Sequence, residues 1–378
     1  MKYLVSVALA IAVALSFGCD RRPIEPKAET GAAIGQQTSR KQAQRFAIEP
    51  QFADARGFSE GLSAVEDSSS GKWGYIDTNG KFVIAPQFDY AVSFAERLAA
   101  VRIGDGLTGK WGFIDKQGKF VINPRYDQAI RFSEGMAAVR IGDFKTGKWG
   151  YIGRQGKMLI SPQFDFFDEF QDGLAIQSVK SDHSKWRVID SQGKMIGGPF
   201  DSIDSFKDGL APVRLGDHET GKYGFIDKQG KMVIDLQFGD AYRLGDGLAP
   251  VRIGDKKSGR WGFIDTNGKL VINPLFDDAR WFSDGLASVL DPVSGKWGFI
   301  DRQGKMVIEP RFGQSSVFHL GIAAVLIGDV KTGKWGFIDK QGKMVIEPQF
   351  KAIDDFHEGL AAVQVDDGKK TMWGFVRQ

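Results

Sequence analysis

The sequence predicts an all-β protein built as a tandem repeat array of nine units, and three observations carry that prediction. The phrase Lys-Trp-Gly-Phe/Tyr-Ile-Asp recurs, with local variation, around Trp73, Trp111, Trp149, Trp186, Tyr223, Trp261, Trp297, Trp335 and Trp373. Successive anchors lie 38, 38, 37, 37, 38, 36, 38 and 38 residues apart, as expected for one supersecondary unit copied in series, each copy burying an apolar face against its neighbours. Between anchors the apolar residues fall in short β-branched and aromatic runs bounded by Gly, Pro and Asp, with no helical period.

Each element of the unit has a local reason. Lys305-Met306-Val307-Ile308 reads as a strand ended by Pro310, because proline cannot donate to a ladder. The same proline recurs at Pro50, Pro86, Pro124, Pro162, Pro199, Pro274 and Pro348, with Leu236 in its place once. Residues 276–282 read as a short irregular strand. An acid–glycine pair follows, as in Glu60-Gly61, Asp284-Gly285 and Glu358-Gly359, which suits a tight turn because glycine takes positive φ freely. Residues 98–103 read as a clear strand whose alanines imply the close approach of another sheet. Residues 142–147 then return the chain into the tryptophan strand. A final hairpin, Asp115-Lys116-Gln117-Gly118-Lys119, places glycine where a left-handed backbone is needed.

The two ends of the array bear on its architecture. It begins at Arg45-Phe46-Ala47-Ile48-Glu49-Pro50, the strand that elsewhere follows the hairpin, and stops at Trp373-Gly374-Phe375-Val376, the strand that elsewhere precedes it. Pairing of these two strands would remove both edges and give a closed β-propeller-like ring. The alternative is an open β-superhelix, or solenoid, with capping units.

The combination of Glu-Gly-Leu-Ala, Gly-Lys-Trp-Gly-Phe-Ile-Asp and Val-Ile-x-Pro-x-Phe-Asp resembles the WG (KWG) repeat of many bacterial proteins, over residues 45–378. The resemblance implies a β-rich repeat without general enzymatic activity and says little about ligands.

The N-terminus reads separately. After Lys2, residues 4–17 form an uncharged apolar run, too short to span a bilayer comfortably as a helix, that ends at Gly18-Cys19. This resembles a bacterial lipoprotein signal, in which residues 1–18 are removed and Cys19 carries the lipid. Leu15 stands four residues before the cysteine rather than three, and Phe17 fills a place usually held by a small residue. Asp20 resembles an inner-membrane retention signal. Cys19 is the only cysteine, so the chain has no intramolecular disulfide and its stability comes from packing. Residues 19–44 are polar and aperiodic, as expected of a flexible tether.

The formal net charge is +3. Lys2 contributes one of these charges, and the tether contributes two more through five basic and three acidic residues, which leaves the array neutral. That excludes nucleic-acid binding, which needs clustered positive charge.

Candidate chemistry is sparse. The nine anchor aromatics are expected to pack between units. Trp281 breaks the pattern of its own unit and is the one candidate ligand contact. Asp143-Phe144-Lys145-Thr146-Gly147-Lys148 and its copy at 329–334 resemble the turn motif of quinoprotein-like propellers, but the tryptophan comes two residues too early, and a simple turn is expected. His183, His218, His319 and His357 show no metal-ligand spacing. No nucleophile elbow or phosphate loop occurs, and no cofactor is expected. Around units four and five the pattern drifts at Ile176-Gln177-Ser178-Val179, Trp186-Arg187-Val188 and Met195-Ile196-Gly197-Gly198.

The expected function is a non-catalytic, membrane-tethered binding scaffold in the cell envelope, recognising a protein or peptide partner. The second expectation is binding to cell-wall or other glycans through exposed aromatics such as Trp281.

Overall fold

The computed structural model describes residues 46–178, 185–366, 368 and 370–378. These residues form 34 strands and no helix. Signal, tether and Cys19 lie outside the described residues, as does His183.

The first unit contains β1 (Ile48–Ala55), β2 (Ser63–Asp67), β3 (Trp73–Ile76) and β4 (Phe82–Phe88), joined as consecutive antiparallel neighbours. Most later units repeat this plan with a two-residue first strand, as in Tyr90–Ala91, Ala99–Ile103, Lys110–Ile114 and Phe120–Tyr126.

The fourth strand corrects one expectation from sequence. It runs through the proline to the next aromatic residue: β4 includes Pro86 and ends at Phe88. An outermost strand has one unpaired side and tolerates a missing N–H, and the ladder slips in register beside the proline. The glycine after the anchor makes room there. A Cβ on Gly74 would lie 2.6 Å from the Ile84 carbonyl oxygen, and one on Gly262 would lie 2.5 Å from that of Ile272.

The alternation of β4 sends Ile84 and Phe88 inward and Val83 and Gln87 outward. Inward side chains of each unit meet those of the next. One cluster joins Ala64 and Tyr75 to Ala99 and Val101; the next joins Ala100 and Phe113 to Ala137 and Val139. Nine such clusters occur among the described residues. Eight of them join consecutive units. The ninth packs Leu360, Ala362 and Phe375 of the last unit against Ile48, Phe52 and Phe58 of the first.

The backbone agrees. β1 pairs antiparallel with the last strand, Thr371–Arg377, setting Ile48 opposite Phe375 and Phe52 opposite Trp373, and the Ala47 N–H donates to the Phe375 carbonyl at 2.8 Å. Because β1 also pairs with β2, one seven-stranded sheet contains the last unit and the first; the other units are separate sheets of four strands or, in unit four, three.

Unit four departs most from the plan. Arg187 occupies the place of the usual glycine, and the opposite strand supplies the missing space. Gly198 has φ 114°, and a Cβ on it would lie 3.1 Å from the Cβ of Arg187. The drift read from sequence is thus in part a glycine moved from one strand to its partner.

Candidate functional site

The turn between the first and second strands of each unit sets one buried apolar side chain beside one outward residue. Phe58, Phe94, Phe132, Phe170, Phe206, Leu244, Phe282, Phe318 and Phe356 are all buried. The residue before each is half-buried or exposed and differs along the chain: Gly57, Ser93, Arg131, Glu169, Ser205, Arg243, Trp281, Val317 and Asp355. Neighbours in this row touch. Arg131 pairs with Glu169 at 2.8 Å, and the Arg243 guanidinium lies 4.3 Å from the centre of the Trp281 ring. A Cβ on Gly57 would meet His357 of the last unit at 2.6 Å.

The acid–glycine turns tie this row together. Each of the eight acids holds φ near 50°, in the left-handed region. Seven point the carboxylate at a main-chain amide of the following unit, and Asp172 instead pairs with Lys228 at 3.0 Å. Gly135 donates to Glu96 at 3.0 Å, Gly173 to Glu134 at 2.8 Å, Gly247 to Asp208 at 3.0 Å, Gly285 to Asp246 at 2.7 Å and Gly321 to Asp284 at 2.6 Å. Gly61 of the first unit donates to Glu358 of the last at 2.9 Å. These acids were expected simply to shape their own turns; the seven that accept an amide also fasten their unit to the next.

Over the turns of units four to seven lies a cleft of about 240 Å³, lined by Gln171, Lys207, Arg243, Gly245, Trp281 and Ser283 among others. Gln171, Lys207, Gly245 and Ser283 are the same repeat position in four consecutive units, so the turns converge on it. Trp281, the candidate from sequence, is half-buried in this wall, with one face covered by Arg243. Lys207, Arg243 and Gln171 escaped the sequence reading. Superposing the units on their buried phenylalanine would have exposed the variable column that holds Arg243 and Trp281.

The remaining candidates fall into structural roles. Trp73, Trp111, Trp149, Trp261 and Trp297 are buried, whereas Trp186, Tyr223, Trp335 and Trp373 are half-buried. Trp373 stands opposite Phe52 within β1, and the other eight stand opposite the aromatic residue at the end of the following strand, as Trp111 does opposite Tyr126. The lysine before an anchor pairs with the aspartate after that aromatic residue, Lys72 with Asp89 and Lys110 with Asp127, both at 2.6 Å. These pairs are partly exposed and contribute at most about 1 kcal/mol each.

The connecting aspartates hold their own loops. Asp143 accepts from Lys145 N–H at 2.7 Å and Thr146 N–H at 2.8 Å. At Asp105, hydrogen bonds from the Thr108 hydroxyl and amide and from the Leu107 amide hold the carboxyl down at about 2. His319 and His357, scattered in sequence, are repeat-equivalent and bring their rings within 6.3 Å. Among the described residues no group of three His, Cys, Asp or Glu side chains is arranged to hold a metal ion.

Comparison with known proteins agrees with the repeat. The model of the WG containing repeat matches residues 42–68, 73–106, 111–143, 149–176, 186–217, 223–256, 261–290, 297–330 and 335–369. No curated protein matches the sequence. Among solved structures, the fold is similar to that of a eukaryotic initiation factor, with 12% identity and a TM-score of 0.55 over 86% of this chain and 91% of that one. A looser likeness, TM-score 0.42 at 8% identity, links 85% of this chain to 55% of a prolyl endopeptidase. With nine matched repeats covering most of its length, the chain belongs to the WG-containing-repeat family.

Proposed function

We propose that the array is a closed nine-bladed ring that serves as a non-catalytic docking scaffold for a protein or peptide, held outside the cytoplasm by a lipid on Cys19. Closure is supported by the pairing of β1 with the last strand and by the ninth core cluster. A ring without free edges presents its turns as one continuous face.

The observation that carries the docking reading is the variable row beside the buried phenylalanines. Packing demands a large apolar residue in each copy, and the buried position supplies phenylalanine in eight units and Leu244 in the other. The adjacent outward position carries glycine, serine, arginine, glutamate, tryptophan, valine and aspartate. A polysaccharide of repeating sugars matches a repeated side chain, whereas a polypeptide matches a sequence of different ones. The repeated acids are engaged with main-chain amides, which favours scaffolding over acid–base catalysis.

Photo-crosslinking in cells tests this reading. A crosslinker at Ser93 or Val317 should capture a discrete envelope polypeptide, while one at Val83 on the outer strand should not. Equal capture from all three sites, or turnover of a small molecule by the purified array, removes the docking reading. Cys19→Ala should move the protein from the membrane to the soluble fraction; retention at the membrane removes the lipid anchor.

A further inference from the structure

We propose that the cleft over the turns of units four to seven recognises carboxylates and takes an acidic stretch of an extended polypeptide. This rests on the docking reading above and names the chemistry of the partner.

Three observations converge. The first is an excess of positive charge. Among the described residues Lys207 and Arg243 make no ion pair with a carboxylate, whereas the equivalent Arg131 is neutralised by Glu169 at 2.8 Å. In the step from unit six to unit seven, Trp281 stands where that acid would be. Asp246, the acid in the wall, keeps its charge while accepting from the Gly285 amide at 2.7 Å, so the lining holds two cations against one carboxylate. The second is orientation. With its guanidinium 4.3 Å from the Trp281 ring centre, Arg243 is fixed by a cation–π contact that uses none of its N–H donors, leaving them for a carboxylate, which a guanidinium binds in bidentate fashion. The third is size. About 240 Å³ holds one or two side chains of an extended segment and excludes a folded domain.

The same geometry argues against the other anionic partners. Two cations on a formally neutral array are too few to neutralise a nucleic-acid backbone. A sugar ring stacking on Trp281 would compete with Arg243 for that face, so the aromatic platform foreseen for glycans is already in use on one side.

The test uses the purified full-length protein and a fluorescently labelled hexaglutamate peptide, with hexaglutamine and a galacturonate hexamer as comparison probes. Hexaglutamate should bind saturably and hexaglutamine should not. Arg243→Gln and Lys207→Gln should each weaken binding about tenfold, as should about 0.5 M salt. Lys257→Gln, an exposed lysine on another loop, should change it less than about twofold. Melting temperatures check folding; if Arg243→Gln unfolds the protein, the exposed Lys207→Gln decides alone.

Undiminished binding to the Lys207→Gln/Arg243→Gln protein overturns the proposal, as does no binding of hexaglutamate or binding of galacturonate alone. Crosslinks from Ser93 and Val317 that persist in the double variant, together with any of these results, would leave the docking reading standing while this site falls. Loss of those crosslinks in the wild-type protein would remove both.

Discussion

Trp373 stands opposite Phe52 across the last and first strands of the array, in the register that sets Trp73 opposite Phe88 and Trp297 opposite Phe312 within the chain. The copy extends to the neighbouring glycine. A Cβ on Gly374 would lie 2.7 Å from the Ile48 carbonyl oxygen, as one on Gly298 would from that of Ile308. The junction between the two ends is therefore built like every internal one.

If that junction persists in solution, Phe52→Ala should cost as much as Phe88→Ala, about 3–5 kcal/mol each, since the two side chains are 3% and 1% exposed. Denaturant unfolding of both variants measures this. A cost below about 1 kcal/mol at Phe52 alone, the usual range for an unburied site, would mean that the ends part.

The tryptophans should separate into two classes. Trp261 is fully buried within a cluster containing Phe263 and Phe282, so Trp261→Ala should cost about 3–5 kcal/mol. Trp281 is half-buried at the cleft, and Trp281→Ala should cost about 1 kcal/mol. Thermal melts of the two variants compare them; equal losses would place Trp281 in the core.

The glycine after the anchor should be indispensable where its partner strand is ordinary. Gly262→Ala drives a Cβ toward a carbonyl oxygen only 2.5 Å away and should cost more than about 2 kcal/mol. Arg187→Gly, at the equivalent position facing Gly198, should cost under about 1 kcal/mol. Equal stability of the two variants would sink the compensation between Arg187 and Gly198.

Asp168 should make stability depend on pH. Burial pushes its carboxyl from an ordinary 3.8 up to about 6, helped by the nearby charges of Glu169 and Asp204 and opposed by the Glu169 amide. A folded-state value above the unfolded one means the folded chain holds the extra proton, so stability falls as pH rises from about 4 to about 6. Asp168→Asn keeps the side-chain oxygen that accepts from the Glu169 N–H. At pH 7.5 it should stabilise the protein by on the order of 1–2 kcal/mol after allowing for partial exposure, and the gain should vanish below about pH 4. A gain that is constant with pH would exclude this cause.

Much of the molecule was legible in the chain. Nine anchors at a near-constant interval required nine similar units, and the short apolar runs between Gly, Pro and Asp required strands, because these are local consequences of backbone sterics and of alternating side chains. The proline strand was misread as ending early, since sequence does not show that it would lie at a sheet edge, where a missing donor costs nothing. The partnership of Arg187 with Gly198 was equally hidden. It depends on which residues face each other across a ladder with a register slip.

The cleft was less legible still. Trp281 stood out as an irregularity, but Lys207 and Arg243 look like ordinary surface residues until turns 36 and 38 residues apart are brought side by side. The repeat thus determined by itself what each unit is and how it meets the next, because those contacts recur in every copy. Only the tertiary structure decided which non-repeating side chains become neighbours and that the outermost strands of the chain meet, because those contacts depend on the accumulated geometry of all nine units.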